Sequence, residues 1–309
     1  MKGLPIVLLA VATLGMAPAP AAGQEGQIFI SLVDPTGAPV TDLRPEELAI
    51  VVDGEELQIL RLESINWPMK LTVLVDNGPA SSNALLHLRN GLQGFFERLP
   101  AGIDIELLTM SPQPRWIVRP TRDHQALIES IPRITPDSGA PKFIEALNEV
   151  AERIDEDDSN YFPVVVIIGS DGPEGSAVFE RDVNRMANRL VNRAATLHVV
   201  MMALGGRRSL TTTGANQVQV GIQLAEITGG RYENIASSTR LATLLPEFAD
   251  LITRSHRRQS QQYRITYDAP GIPRPLDARP GDTPLQISAG TTRTGLSGIL
   301  TFDGHIPQP

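Results

Sequence analysis

The chain has 309 residues, no cysteine and a formal net charge of −8. That length holds one large domain and a smaller one. The acidic balance excludes a general nucleic-acid binder, which needs a basic face to displace counterions, and the lack of cysteine removes disulfides, thiolate metal sites and cysteine nucleophiles together. Lys2, the apolar run Leu4–Leu14 (LPIVLLAVATL) and the small residues Ala17–Gly23 (APAPAAG) follow the order of a secretory signal peptide, residues 1–23, cut after Ala22 or Gly23. The run falls short of the ~20 residues that span a bilayer. With no cysteine after it, a lipoprotein anchor is excluded. The mature chain is therefore expected to be exported, to the periplasm or the exterior.

Residues 24–68 read as a small β module. Ile28–Asp34 is a strand, and Asp34-Pro35-Thr36-Gly37 has the residue order of a type I turn. Leu48–Val52 and Leu57–Leu62 flank Asp53-Gly54, a hairpin signal. Trp67-Pro68 marks the junction with the next region. From there to Arg258 strands alternate with helices. Leu71–Asp76 is a continuous apolar strand with an aspartate at its end, and Asn83–Leu99 carries apolar residues at helical spacing. Ile103–Thr109 and Trp116–Val118 are further strands; Asp123–Ile131 and Lys142–Ile154 are helices separated by the loop Thr135–Pro141. Val164–Ile168 runs into Gly169-Ser170-Asp171-Gly172, followed by helix Ala177–Arg193, strand Leu197–Ala203, a loop at Gly205–Gly214 and helix Val218–Thr228. Gly229 and Gly230 stop that helix, Arg231–Ile235 is an edge strand, and Thr239–Arg257 is the final helix. This alternation predicts an α/β fold, a doubly wound and mostly parallel sheet with helices on both faces, over residues 69–258.

The tail, residues 259–309, is β again. Gln262–Ala269 alternates with period two, Pro270–Pro284 is an irregular connection rich in proline and glycine, and Leu285–Ser288 and Leu296–Phe302 are short strands. These strands are expected to pair with the N-terminal module, which makes the α/β domain an insertion.

Two strands ending in Asp76 and Asp171, with the loop at Ser138-Gly139 between them, resemble a von Willebrand factor type A domain over roughly Lys70–Arg258. The flanks, PTGAPVTDL with its DG hairpin and QYRITYDAP after the last helix, are similar to secreted bacterial proteins related to that family. The resemblance implies a Rossmann-like sheet and a metal-ion-dependent adhesion site. In such a site Asp-x-Ser-x-Ser, a threonine and a second aspartate offer oxygens to a divalent cation, whose open position takes a partner's carboxylate. Asp76 matches the first aspartate and Asp171 the last. Gly78 and Ala80 stand where the two serines belong, and Pro141 or Ala140 stands in the threonine position. Ser81 and Ser82 are close but out of register. Asp76 and Asp171 are thus the candidate metal residues, able with waters to hold Mg²⁺ weakly; each also has a local role open to it, Asp76 as a turn or helix cap and Asp171 in an Asp-Gly turn.

Other signals point to surface rather than chemistry. Arg181, Arg185, Arg189 and Arg193 form a stripe along a helix, read as a solvated face. Asp155–Asp158 is read as an exposed loop, and the cations of Arg254–Arg258 complement a helix C-terminus. The five histidines have no metal-ligand spacing, and neither a G-x-S-x-G elbow nor a phosphate-binding loop is present. The expectation is a non-enzymatic exported protein without a resident cofactor. It would bind a protein or surface polymer through the loops around Asp76, Ser138–Pro141 and Asp171. The alternatives are a Mg²⁺-dependent adhesion module with a rearranged site and a hydrolase using Asp76 and Asp171.

Overall fold

A computed structural model describes residues 6–13, 25–52, 54–178, 180–203, 212–268 and 284–301. Asp53, the segment Ala17–Gly23 and the connections 204–211 and 269–283 lie outside the described residues. Contacts divide the chain into two units, one from the segments before Trp67 and after His256, the other from Trp67–His256.

The first unit contains β1 (Ile6–Thr13), β2 (Glu25–Val33), β3 (Leu48–Val52), β4 (Glu55–Leu57) and β5 (Ile59–Ser64) from the start of the chain. From the tail it takes β12 (Tyr263–Asp268), β13 (Pro284–Thr291) and β14 (Ser297–Thr301). They form two antiparallel sheets, ordered β1-β13-β3-β4 and β14-β2-β12-β5. Both contribute to one apolar cluster that includes Ile28, Ile30, Ile50, Ile265 and Tyr267. The Tyr263 hydroxyl accepts a hydrogen bond from Leu43 N–H at 3.0 Å. The apolar run of the expected leader thus provides the edge strand β1, paired along its length with β13. The expected strand Leu57–Leu62 is divided at Gln58, because β4 closes a short hairpin with β3 while β5 crosses to pair with β12, Leu62 opposite Ile265.

The second unit is built around β6 (Met69–Val75), whose burial on both faces explains its unbroken apolar run. With β7 (Asp104–Thr109), β8 (Arg115–Thr121), β9 (Phe162–Ser170), β10 (Thr196–Met202) and β11 (Tyr232–Ile235) it forms a sheet ordered β11-β10-β9-β6-β7-β8. Every neighbouring pair is parallel except β7 and β8. The run expected at Trp116–Val118 is thus a longer antiparallel edge. Helices α1 (Leu85–Arg98), α2 (His124–Ser130) and α6 (Leu241–Gln259, whose last turn passes out of this unit) cover one face. Helices α3 (Phe143–Glu156), α4 (Glu180–Asn192) and α5 (Thr212–Ile227) cover the other. This is a mixed α/β, doubly wound and mostly parallel fold. Gly91 and Gly94 let α1 approach α6 closely: a Cβ on Gly91 would meet Leu241 O at 2.6 Å. Strand order reverses between β6 and β9, so the carboxyl ends of those two strands form the crevice where such sheets seat ligands.

Among the boundaries that differ from expectation are those of two helices. Helix α3 continues through Asp155 to Glu156, where a loop is expected. Helix α5 begins at Thr212 rather than Val218; its first turns are held by Gln217, which donates to Ser170 O and Gly172 O at 2.7 and 2.8 Å. Among the described residues no helix is long and apolar enough to cross a membrane.

Candidate functional site

Asp76 follows β6 at the switch point and is fully buried. Its backbone N–H donates to Ile168 O at 2.8 Å, continuing the ladder with β9 by one step. Oδ1 accepts the Gly78 N–H at 2.7 Å, and Oδ2 accepts the Ser81 and Ser170 hydroxyls at 2.7 and 2.6 Å. A buried carboxylate must be paired or hydrogen-bonded, and these three donors meet that need with neutral groups. Ser81, set aside in sequence as out of register, reaches Asp76 because Pro79–Ala84 is a 3₁₀ turn rather than the first turn of α1.

Asn77 ties this loop to its neighbours. Its Oδ1 accepts Ser111 N–H at 3.1 Å, its Nδ2 donates to Thr135 O at 2.9 Å, and its carbonyl accepts Asp137 N–H at 2.8 Å. Within the loop before α3, Asp137 Oδ1 accepts Gly139 N–H at 2.8 Å, so Ser138 sits in a closed Asx turn. Pro141 is buried against Gly78: a Cβ there would meet Pro141 Cδ and Ser111 Oγ, each at 2.9 Å. Ser111 Oγ is buried without a hydrogen-bond partner among the described residues.

Asp171 lies at the carboxyl end of β9, half-buried, its N–H bonded to Met202 O at 2.9 Å. Burial first, and then the Asp171 charge, push the Tyr232 phenol above its ordinary pKa. The following loop serves α3: Glu174 accepts Ile144 N–H at 3.4 Å, while Ser176 Oγ accepts Glu145 N–H at 3.0 Å and donates to Glu174. Lys142, at the N-cap position, provides no side-chain cap, so the cap comes from a neighbouring loop.

Asp76 and Asp171 thus lie at the ends of adjacent strands. Positions 78, 80 and 140–141, where a family-type cation would require hydroxyls, carry glycine, alanine, and alanine and proline, and the Ser81 and Ser170 hydroxyls are donating to Asp76. The residues do not fit an octahedral Mg²⁺ site of that type. Among the described residues no group of three His, Asp or Glu side chains could hold a metal ion. What faces outward is a neutral rim: Pro79, Pro112, Gln113, Pro136, Ser138 and Pro173 are exposed around the closed carboxylate.

Sequence reasoning did not identify Asn77, Ser170, Gln217 or Glu174. Ser170 had a usable signal, a hydroxyl at the end of a buried strand beside the one bearing Asp76. The arginine stripe divides in two. Arg189 pairs with Glu152 at 2.8 Å and Asp155 at 3.5 Å, and Arg193 donates to Ser159 O at 3.1 Å. Arg181 and Arg185 are exposed beside Asp182.

Residues 71–174 match the family model described as the von Willebrand factor type A domain. No curated protein matches the sequence. Among solved structures, a von Willebrand factor type A protein from Catenulispora acidiphila is similar at 10% identity with a TM-score of 0.50, covering 96% of this chain and 73% of that one. The vWF domain of the type V pili tip protein Mfa5 from Porphyromonas gingivalis gives 12% identity and a TM-score of 0.47, covering 62% of this chain and 96% of that one. The pilus adhesin SpaC from Lactobacillus rhamnosus GG gives 11% and 0.48, covering 85% of this chain but only 42% of SpaC. At 10% identity the likeness to the Catenulispora acidiphila protein is one of fold.

Proposed function

Since this chain carries a von Willebrand factor type A domain, we propose that it is an exported, non-enzymatic interaction module that recognises a protein or surface polymer without a metal ion. The observation that carries this reading is the closure of Asp76: three donors engage its oxygens, and Gly78, Ala80 and Pro141 or Ala140 stand where the family pattern has hydroxyls. With three of its roughly four lone-pair positions taken and the group fully buried, Asp76 has little left to offer a cation or a substrate, which also weighs against a hydrolase built on Asp76 and Asp171. Recognition is then left to the rim of Pro79, Pro112, Pro136, Ser138 and Pro173. This rim is pre-organised because proline restricts the backbone and Asn77 bonds three loops together. Export rests on residues 1–23; cleavage there would remove β1 and open the β13 edge.

Calorimetric titration of the purified chain with Mg²⁺ and Mn²⁺, beside Asp76→Ala, tests metal independence. No saturable heat is expected from either; micromolar binding that Asp76→Ala abolishes overturns the reading. A pull-down from the native envelope fraction, with Pro79→Arg and Pro173→Arg as blocked variants, tests the rim. One observation favours a second reading, the gathering of the Ser81 and Ser170 hydroxyls on Asp76. Rotated, they could join Asp76 and Asp171 around a rearranged Mg²⁺ site, and the same titration decides it.

A further inference from the structure

The second notable carboxylate lies away from the Asp76 crevice. β7 alternates Ile105 and Leu107, packed under α1 and α2, with Glu106 and Leu108 on the other face. Leu108 joins the core beneath α3. Glu106 occupies an equivalent inward position and is only 8% exposed, where a doubly covered sheet calls for another apolar residue. Its Oε1 accepts the Thr72 hydroxyl at 2.7 Å and Arg153 Nη2 at 2.8 Å, and its Oε2 accepts Trp116 Nε1 at 2.9 Å. The Arg153 guanidinium lies 5.0 Å from the Trp116 ring centre, and Arg119 lies 4.6 Å from it.

Beside these groups is a cavity of about 530 Å³, bounded by the C-terminal half of α3 and the amino-terminal halves of β6, β7 and β9. That volume is in the range of small-molecule sites. Val150, Ile154 and Val164 form an apolar wall, and Lys70, Glu106 and Arg153 bring charge to it. Most of this charge is spent. Lys70 Nζ bonds Asp157 and Ser159 at 2.6 and 3.0 Å and lies 4.0 Å from the Tyr161 ring centre. Asp104, also in the lining, is neutralised by a two-point pair with Arg122 at 3.0 and 2.9 Å. Glu156 lines the cavity as well. Arg153 is different: one nitrogen is committed to Glu106, and its other N–H donors have no partner among the described residues. Glu106 and Trp116 therefore hold the guanidinium in place with part of its donor fork unused, the arrangement that suits two-point capture of an oxyanion.

We propose that this groove binds a small molecule carrying a carboxylate or phosphate on an apolar body, Arg153 receiving the anionic group and the Val150–Ile154–Val164 wall receiving the rest. Trp116 supplies the readout, since the chain has two tryptophans and the other, Trp67, can be replaced by phenylalanine. In a Trp67→Phe background, benzoate and phenyl phosphate are titrated against Trp116 fluorescence, with benzyl alcohol as the uncharged counterpart. Saturable binding of at least one anion, with benzyl alcohol at least tenfold weaker, is expected; whichever anion binds more tightly identifies the headgroup. Arg153→Ala should weaken it at least tenfold and Arg153→Lys at least threefold, because lysine keeps the charge and loses the planar fork. The exposed, remote Arg185→Ala should leave affinity unchanged. If Arg153→Ala fails to fold, Arg153→Lys with unchanged melting temperature decides alone. No saturable signal from either anion, equal binding of benzyl alcohol, or unaltered affinity in the folded Arg153 variants would overturn the proposal.

Discussion

One sheet buries two carboxylates and treats them oppositely. Asp76, past the carboxyl end of β6, is met by short donors: the N–H of Gly78 and the hydroxyls of Ser81 and Ser170. Short donors require the loops themselves to come close, so satisfying Asp76 pulls the crevice shut. Glu106, within β7, takes one short donor, the Thr72 hydroxyl of the adjoining strand β6, and is otherwise met by long side chains reaching over the sheet, Arg153 from α3 and Trp116 from β8. Long donors satisfy the charge while leaving space beside it. A buried acid is therefore no sign of a ligand site until the reach of its partners is known.

Replacing each acid tests the contrast directly. Glu106→Ala strands a guanidinium, an indole N–H and a hydroxyl, and should cost about 3–5 kcal/mol in urea denaturation; a loss below ~1 kcal/mol would mean that water already serves these groups. Asp76→Ala leaves only neutral donors unpaired and should cost about 2–3 kcal/mol, with Asp76→Asn recovering roughly half because its amide oxygen still accepts.

Two smaller effects sharpen the comparison. Gly78→Ser places a side chain against Pro141 Cδ and Ser111 Oγ and should cost about 1–3 kcal/mol through overpacking. Combined with Ala80→Ser and either Ala140→Thr or Pro141→Thr, however, it supplies the hydroxyls of the family pattern. The triple variant should then gain a Mg²⁺-dependent rise in melting temperature that the parent chain lacks, measurable by thermal shift. At the other end of the sheet, burial pushes the Asp157 carboxyl up, but hydrogen bonds from Lys70 and Ser159 outweigh it and hold the group well below the usual carboxylate range. A carboxylate depressed in the folded state contributes stability above its unfolded pKa of ~3.9, and that contribution is lost as pH falls. Lys70→Met should flatten the acid limb of stability between roughly pH 5 and pH 3, by less than ~1 kcal/mol because both side chains are about a third exposed. Urea melts across that range check it.

The elements were legible where the signal is local. The apolar runs of β6, β9 and β10 marked buried strands, and the helical spacing of Leu88, Leu92, Phe95 and Phe96 marked the inward face of α1. Boundaries failed where a distant contact decides them, as at α5, whose first turns depend on Gln217 reaching the β9 loop. The Asp76 site was half legible. The absence of side-chain oxygens at Gly78, Ala80 and Ala140-Pro141 could be read, but the bond from Ser170 could not. The Glu106 groove left no trace in the linear pattern, since a lone glutamate in a strand reads as a solvent-facing residue.

The sequence by itself determined the strands and helices, the alternation that makes the sheet parallel, and the residue types that stand at positions 78, 80 and 140–141, because each depends on residue type at short spacing. The tertiary structure alone decided which groups meet the two buried acids. Ser170 lies 94 residues from Asp76, Thr72 lies 34 from Glu106 and Arg153 lies 47 from it. Only the packing of α3 and the ladder of β6 with β7 and β9 brings such groups within 3 Å, closing one end of the sheet and leaving a cavity toward the other.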